Sequence, residues 1–350
     1  MPASWSWPRG LPARREGVGG SWLSGAPSAT PATTPDPVVE TTGLTRYYGR
    51  TVGVEDLDLR VSAGEVFGLL GPNGSGKTTT IRLLLDLVRP SRGEARLFGR
   101  PSSVAELRGR VGYLPGELVL DGRMTGRATL GFLGRLDPAR GGGALAPRRE
   151  ELCERLGLAA PDLRRPVRQY SRGMKQKLGL VAAFQHDPAL LILDEPTTAL
   201  DPLVREVVFE LMAEARAHGV AVFHSSHVLS EVDRTCERVA FLRDGRLAAL
   251  MPVEEVRRAG VRRMVVHFAA DPPLAELRIP GVETESVEGG RVVLRVTGGL
   301  DPLLATLARH PVGHLTFPEP GLEEAFTAFY RGVEAGAGGS RAPRPDEGAT

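Results

Sequence analysis

The segment Gly71–Thr80 carries the residue types and spacing best suited to chemistry in this 350-residue chain. It fits the pattern G-x-x-x-x-G-K-[ST], with Gly71, Gly76, Lys77 and Thr78 at the fixed positions. Glycines let backbone N–H groups turn toward an anion without interference from a Cβ atom. The lysine supplies a compact positive charge, and the threonine hydroxyl can ligate Mg²⁺. The segment therefore predicts a site for a nucleotide phosphate.

The flanking residues predict the elements that would position this loop. Glu65–Leu70, ahead of it, has the pattern of a short buried strand. After it, apolar residues recur at the spacing of a helix face, namely at Ile81, Leu84, Leu85 and Val88. Pro90 and Gly93 are expected to end that helix. The order strand, glycine loop, helix places a phosphate at a helix N-terminus.

Two carboxylates follow a second predicted strand. Ala189–Leu193 is a continuous apolar run, typical of a central parallel strand, and Asp194 and Glu195 come directly after it. Ligands of α/β sheets bind at the carboxyl ends of such strands, so we expect these acids to meet Mg²⁺ or a reacting water. The predicted strand Val220–Phe223 delivers His227 to the same edge of the sheet.

Two other segments are weaker candidates for ligand contacts. Ser171, within Tyr170–Met174, can cap the helix that follows it, and a capped helix start is suited to an anion. The turn Arg46–Gly49 holds two tyrosines, and an exposed aromatic ring there can either stack on a base or pack a β-hairpin. The residues alone leave that choice open.

The composition is that of a soluble globular protein, with 41% hydrophobic and 25% charged residues. A net charge of +2 is too near neutral to indicate nucleic acid as a partner. Cys153 and Cys236 lack metal or redox spacing, so we interpret them as ordinary thiols in a reducing compartment. No apolar run approaches the ~18 residues of a membrane span. Any membrane crossing would therefore be made by another chain.

The chain is expected to have a disordered extension at each end, residues 1–37 and 332–350, because both are poor in periodic apolar residues. Residues 120–185 are predicted to be mainly helical, with a break at 141–143. From about 263 the pattern becomes strand (264–269), helix (272–278), strands (282–287 and 292–297), helix (301–310) and strand (313–317), which suggests a small ferredoxin-like domain. A last helix is predicted over Leu322–Tyr330.

Taken together and in order, these motifs resemble the ATP-binding cassette (ABC) ATPases over residues 38–260. The resemblance implies an α/β fold: a P-loop NTPase with a RecA-like parallel sheet, an antiparallel β subdomain and a helical subdomain at about 116–185. A small C-terminal α+β domain would occupy 262–331. It also implies ATP and Mg²⁺ as cofactors.

The resemblance assigns roles to residues by their positions in the motifs. Asp194 and Thr78 would hold Mg²⁺, Glu195 would be the catalytic base, and His227 would be the switch histidine. Tyr48 matches the adenine-stacking aromatic better than Tyr47 does. The remaining nucleotide contacts would be Gly71, Pro72, Asn73, Gly74, Ser75, Gly76, Lys77, Thr78 and Thr79, with Ser171, Gly173 and Asp201 completing the site of a second copy in a head-to-tail dimer.

Three positions depart from the family pattern. Arg172 replaces the first glycine of the signature, usually L-S-G-G-Q, and Met174 replaces its glutamine. Gly116 stands where the Q-loop glutamine is expected, with Glu117 next to it. One contact to Mg²⁺ and water is thereby lost, and one hypothesis is that Glu117 supplies it instead.

The ending Glu319–Phe326 resembles that of cassette subunits paired with a separate export permease, including drug- and antibiotic-resistance exporters. The resemblance therefore implies an ATPase subunit of an exporter, placed in the cytoplasm at the inner face of the plasma membrane through its permease. One alternative is the ATPase of a nutrient importer, and another is an ABC ATPase that works without a permease. No nucleic-acid partner is expected.

Overall fold

The fold is described by a computed structural model for residues 37–136, 145–259, 262–298 and 300–317. These residues form fourteen strands: β1 Val39–Tyr48, β2 Thr51–Val61, β3 Val66–Leu70, β4 Arg92–Leu97, β5 Arg100–Pro101, β6 Val111–Leu114, β7 Leu190–Asp194, β8 Ala221–Ser226, β9 Arg238–Arg243, β10 Arg246–Pro252, β11 Arg262–Phe268, β12 Val282–Glu288, β13 Arg291–Val296 and β14 Val312–Thr316. They also form α-helices: α1 Lys77–Leu84, α2 Gly126–Gly134, α3 Ala146–Arg155, α4 Ala160–Leu163, α5 Arg172–Phe184, α6 Pro202–Ala217, α7 Leu229–Thr235, α8 Val253–Ala259 and α9 Leu300–Leu307. Short 3₁₀ turns cover Ala105–Arg110 and Val167–Gln169.

The described chain divides into two compact units. One holds the residues up to His227 together with Ala240–Ala248, and the other holds Val228–Val239 and the residues from Ala249 onward. Both units contain strands as well as helices, so the α/β class expected from the sequence is confirmed.

The parallel strands of the first unit belong to a six-stranded sheet in the order β10-β9-β3-β8-β7-β6. The pairs β3–β8, β7–β8 and β6–β7 are parallel, and every residue of β3, β7 and β8 is buried. Parallel strands covered on both faces need such unbroken apolar runs. The consequence for the site is that the carboxyl ends of β3, β7 and β8 lie side by side.

An antiparallel sheet in the order β2-β1-β4-β5 forms the second layer of this unit. Its alternating side chains, among them Leu57, Leu59 and Val61, share one apolar core with Phe67, Ile81 and residues of the parallel sheet. This is the antiparallel β subdomain that the sequence predicted. Helices α2 to α5 make up the described part of the predicted helical region, while the break predicted at 141–143 lies outside the described residues.

The helix after the glycine loop is shorter than its apolar stripe predicted. α1 ends at Leu84, because Asp86 adopts a left-handed φ of 53° and the amides of Leu87 and Val88 turn back to the Arg82 carbonyl. Val88 still packs against the core from this turn. The apolar spacing thus predicted the buried residues correctly, but the prediction of where the helix ends was wrong.

The second unit contains a four-stranded antiparallel sheet in the order β12-β13-β11-β14, which is the strand order of a ferredoxin-like domain. α9 and the sheet share a core that includes Met264, Leu294 and Leu303. The prediction of a helix over 272–278 is wrong: only a turn forms there, in which the amides of Glu276 and Leu277 donate to the Pro273 carbonyl. The helix predicted over Leu322–Tyr330 and both predicted disordered ends, 1–37 except its last residue and 332–350, lie outside the described residues.

No helix among the described residues combines the length and apolarity that a bilayer crossing needs.

Candidate nucleotide site

The loop between β3 and α1 is shaped by close backbone contacts. A Cβ atom on Gly71 would clash with the Leu242 carbonyl, and one on Gly76 would lie 2.5 Å from the carbonyl oxygen of Gly53. Gly76 also has a φ of 107°, which side-chain-bearing residues rarely adopt. The two fixed glycines are therefore required by the fold of the loop.

Lys77, the first residue of α1, is buried, with its side chain 6% exposed. Its ammonium donates to the carbonyl oxygens of Gly71 at 2.7 Å and Pro72 at 3.2 Å. Burial lowers the pKa of Lys77, and the nearby carboxylates of Glu195 and Asp194 oppose that shift. The lysine side chain thus folds back over the loop, and its ammonium lies between the loop carbonyls and the carboxylate of Glu195.

Asp194, at the end of β7, lies directly beside the loop. Its side chain accepts hydrogen bonds from Thr78 Oγ1 at 2.9 Å and from Ser225 Oγ at 2.5 Å. The residue is 2% exposed, so the carboxylate is held between two hydroxyls in a buried position. β7 and β8 are adjacent and parallel, which brings Asp194 and Ser225 into register.

Glu195 occupies the mouth of the site, and three side chains converge on its carboxylate. Thr198 Oγ1 donates to it at 3.2 Å, His227 Nδ1 lies 3.1 Å from Oε1, and Lys77 Nζ lies 4.0 Å from the same oxygen. The side chain is one quarter exposed, so water can reach it. The sequence expectation that the ends of β7 and β8 meet is confirmed by the β7–β8 pairing.

An open cleft of about 290 Å³ runs from the glycine loop to Tyr48. Its walls include seven of the predicted residues besides Glu195: Tyr48, Asn73, Gly74, Gly76, Lys77, Thr78 and Thr79. Gly71, Pro72 and Ser75 form the body of the loop. The Ser75 hydroxyl is buried there, next to Gly71, and has no hydrogen-bond partner within the chain.

The two tyrosines of the first hairpin have different surroundings. The hydroxyl of Tyr47 donates to Glu55 at 2.8 Å, which turns that ring away from a stacking role. Tyr48 is 41% exposed, and a Cβ on Gly53 would lie 2.8 Å from its ring and 3.1 Å from the Thr79 methyl group. Of the two alternatives left open by the sequence, this placement favours Tyr48 as a platform for a base.

The predicted signature residues do not join this cleft. Ser171 caps α5 by accepting from the Met174 amide at 3.2 Å, and Asp201 caps α6 by accepting from the Val204 amide at 3.0 Å. A Cβ on Gly173 would lie 2.7 Å from the Ala199 carbonyl oxygen. Ser171, Gly173 and Asp201 are thus held at helix starts, and none of them lines the cleft.

The position where the family has its Q-loop glutamine lies against Asp194. A Cβ on Gly116 would be 3.0 Å from Asp194 Oδ2, closer than most real Cβ contacts. Glu117 is exposed, and its suggested role as a substitute ligand stays a hypothesis.

Two buried residues of the site were not singled out from the sequence. Ser225 links Asp194 and Glu195, since its hydroxyl also accepts from the Glu195 amide at 3.0 Å. Gln176, on α5, donates to the carbonyl oxygens of Glu195 at 3.2 Å and Pro196 at 3.1 Å. The only signal for Ser225 was its place two residues before His227, and its partners are set by strand register.

The donor set at Asp194 fits Mg²⁺. This ion prefers oxygen ligands and keeps several waters and substrate phosphates in its shell. Thr78 and Asp194 offer a hydroxyl and a carboxylate 2.9 Å apart beside the phosphate loop. Within the part of the chain that the structure describes, no group of three or more His, Cys, Asp or Glu residues could hold a metal by itself. Phosphate oxygens would have to complete the coordination.

Comparison with known proteins agrees with this geometry. The profile of the family described as ABC transporter matches residues 54–198. The daunorubicin/doxorubicin resistance ATP-binding protein DrrA of Streptomyces peucetius is 37% identical over 251 residues, which are 70% of this chain and 75% of DrrA.

Solved structures give the same result. An ATP-binding subunit of an ABC transporter is 31% identical, with a TM-score of 0.59 over 63% of this chain and 92% of the other. The dimeric cassette MJ0796, in a post-hydrolysis state with ADP and Pi, is 20% identical with a TM-score of 0.57, and covers 61% of this chain and 98% of its own. That last likeness concerns the fold. The predicted P-loop NTPase fold is thereby confirmed, and the chain belongs to the ABC transporter family as an ATP-binding subunit.

Proposed function

We propose that this chain hydrolyses Mg²⁺-bound ATP between two copies of itself and thereby powers export through a separate membrane permease. The observation that carries the proposal is the convergence on Glu195: its carboxylate lies 3.1 Å from His227 Nδ1 and 4.0 Å from Lys77 Nζ at the mouth of the cleft. A base, a cation and a histidine thus meet where a terminal phosphate would lie.

The loop amides and Lys77 bind the β- and γ-phosphates in this proposal. The ammonium donates to the carbonyls of Gly71 and Pro72, and a phosphate would replace those neutral acceptors by charged ones. The lowered pKa of Lys77 reflects a poorly solvated cation, for which an anion is a favourable partner. Tyr48, at the other end of the cleft, stacks on the adenine.

Thr78 and Asp194 hold the Mg²⁺ ion. When bound, that ion would neutralise charge on the phosphate oxygens. Glu195 orients the attacking water and accepts its proton. His227 lies within hydrogen-bond distance of Glu195 and is half exposed, so its ring can also contact the γ-phosphate and respond to its loss.

Ser171, Gly173 and Asp201 act on the site of a second copy. Support comes from their placement at helix starts outside the cleft, where backbone amides and a hydroxyl can meet an anion on another molecule. MJ0796, which shares this fold, is dimeric. ATP binding closes this dimer and hydrolysis opens it, and the permease responds to that shift.

Export is favoured over import by the relative DrrA, a resistance protein whose name refers to daunorubicin and doxorubicin. A drug-like or antibiotic substrate is therefore proposed, with the contacts that select it in the permease. The helical region after Gly116 is the proposed contact with that permease. These roles place the chain at the cytoplasmic face of the plasma membrane.

The test is the variant Glu195→Gln, which keeps the size of the side chain and removes the base. Turnover should fall at least about 100-fold, because general base catalysis contributes roughly that much, while ATP affinity stays within a few-fold. The variant should also accumulate as an ATP-bound dimer on size-exclusion chromatography. Glu210→Gln, at an exposed position of α6, is the matched control and should behave as the unmodified chain.

Unchanged hydrolysis in Glu195→Gln would refute the assignment of the base. The same trapped variant tests the export part of the proposal, because an ATP-closed dimer should co-purify with its permease from detergent extracts. Recovery of a polytopic membrane partner supports transport. If the unmodified chain hydrolyses ATP and the trapped variant co-purifies only with soluble proteins, the alternative of an ABC ATPase that works without a permease is favoured.

A further inference from the structure

Glu195 has a backbone conformation that must be maintained by its neighbours. Its φ is 50°, in the left-handed region that a residue with a Cβ enters only at a cost. The amide of Glu195 donates to Ser225 Oγ at 3.0 Å, and its carbonyl oxygen accepts from Gln176 Nε2 at 3.2 Å. Both polar ends of this residue are thus bonded to buried side chains.

Ser225 serves the neighbouring carboxylate at the same time. Its hydroxyl donates to Asp194 Oδ1 at 2.5 Å while it accepts from the Glu195 amide. A serine hydroxyl has one proton to donate, so its donor capacity is fully used at Asp194. Ser225 is 0% exposed, and water cannot take over either bond. A single side chain therefore fixes two consecutive acidic residues.

We propose that Ser225 is a positioning residue of the reaction, which sets the Asp194 carboxylate for Mg²⁺ and the Glu195 backbone for the attacking water. This inference rests on the proposed ATPase function. Loss of the hydroxyl leaves Asp194 Oδ1 and the Glu195 amide without these bonds in a buried place. Asp194 is then free to turn away from Thr78, and Glu195 can relax toward negative φ.

Thr41 provides a matched control in a different sheet. Its hydroxyl donates to the Leu57 carbonyl and accepts from the Leu59 amide, each at 2.8 Å, and the residue is 4% exposed. Like Ser225, it donates one hydrogen bond and accepts one from a backbone amide, but its acceptor is a backbone carbonyl instead of a carboxylate. Thr41→Val removes these two bonds and leaves the nucleotide site unchanged.

The experiment measures equilibrium binding of a fluorescent ATP analogue to the full chain, once with Mg²⁺ and once with EDTA, together with steady-state hydrolysis. In Ser225→Ala the gain in ATP affinity that Mg²⁺ provides should fall about tenfold or more, and kcat should fall by a similar factor. The reason is that loss of a hydrogen bond to a charged group changes an equilibrium constant by about that factor. Affinity in EDTA should stay within about twofold. Thr41→Val should lower the stability to urea and leave the ratio of the two affinities unchanged.

Two further variants separate positioning from folding. Ser225→Thr keeps the hydroxyl and should restore most of the Mg²⁺ effect, whereas Ser225→Cys fills the space with a weak donor and should not. The proposal is overturned if Ser225→Ala or Ser225→Cys shows the same Mg²⁺ effect and kcat as Thr41→Val. Failure of the unmodified chain to bind or hydrolyse ATP would instead refute the proposed function, so the two failures are distinguishable.

Discussion

Replacement of Gly116 by the glutamine that the family usually has there should weaken the site. A Cβ at this position would lie 3.0 Å from Asp194 Oδ2 and 3.2 Å from its Cγ, so one of the two groups must move by a few tenths of an ångström. Asp194 cannot move freely, because Thr78 and Ser225 bond to its two oxygens. The displacement therefore breaks one of these bonds or shifts the loop after β6.

The expected magnitude follows from the bond that is lost. A hydrogen bond to a charged group contributes about 1.5–3 kcal/mol, which corresponds to a factor of about 10 to 100 in an equilibrium constant. Changes in the residues that orient metal ligands weaken metal affinity by a similar factor. Gly116→Gln should accordingly lower the Mg²⁺-dependent part of ATP affinity about 10-fold or more. Gly116→Ala should do nearly the same, because the Cβ atom causes the conflict.

The assay is ATP binding titrated with Mg²⁺, with Gly131→Ala as the control. Gly131 lies on α2, and a Cβ there would meet only an ordinary contact, 3.9 Å from Arg135. That substitution should leave the Mg²⁺ dependence unchanged and favour the helix slightly. Tighter Mg²⁺-dependent binding in Gly116→Gln would refute the reasoning, since it would mean that the loop accommodates the side chain and gains a ligand.

Two other predictions concern the surroundings of the site. Gly245 has a φ of 76°, donates to the Ser75 carbonyl at 3.1 Å, and has Val52 2.8 Å from the place of a Cβ. Gly245→Ala should destabilise the fold by about 2 kcal/mol and weaken ATP binding, whereas Gly49→Ala, with a φ of 62° and open space, should cost only about 1 kcal/mol in urea unfolding. Burial lowers the pKa of His224 from 6.5 to about 4. Because the folded-state pKa is the lower one, the stabilisation is fully present above about pH 6.5 and is lost, by up to about 3 kcal/mol, as the pH falls toward 4. His224→Asn should flatten urea-unfolding stability between pH 7 and pH 4.5, and an unchanged slope would contradict the assignment.

Local patterns predicted most of the elements, because strand and helix periodicity reflects which faces are buried. The continuous apolar run before Asp194 appears as the buried strand β7, and the buried residues of α6, namely Val208, Leu211, Met212 and Ala215, recur at the spacing of one helix face. The predictions that failed concern where one helix ends and whether another helix forms. α1 ends two residues before the left-handed Asp86, and the segment after β11 forms a turn in place of the predicted helix.

The sequence by itself determined the chemical types at the site. The glycines, Lys77 and Thr78 are fixed by spacing within one loop, and a loop followed by a helix start is a local structure. The carboxylates Asp194 and Glu195 were equally visible, since they directly follow a buried strand. Each of these inferences depends on residues close together in the chain.

Only the tertiary structure decided how these groups are oriented. Ser225 meets Asp194 through the register of two parallel strands that are separated by a whole helix, and no local pattern encodes that register. Gly116, in the loop after β6, likewise meets Asp194 at the end of β7. Contacts between distant residues are set by how the elements pack, and so the residues that hold the two carboxylates appear only in the folded chain.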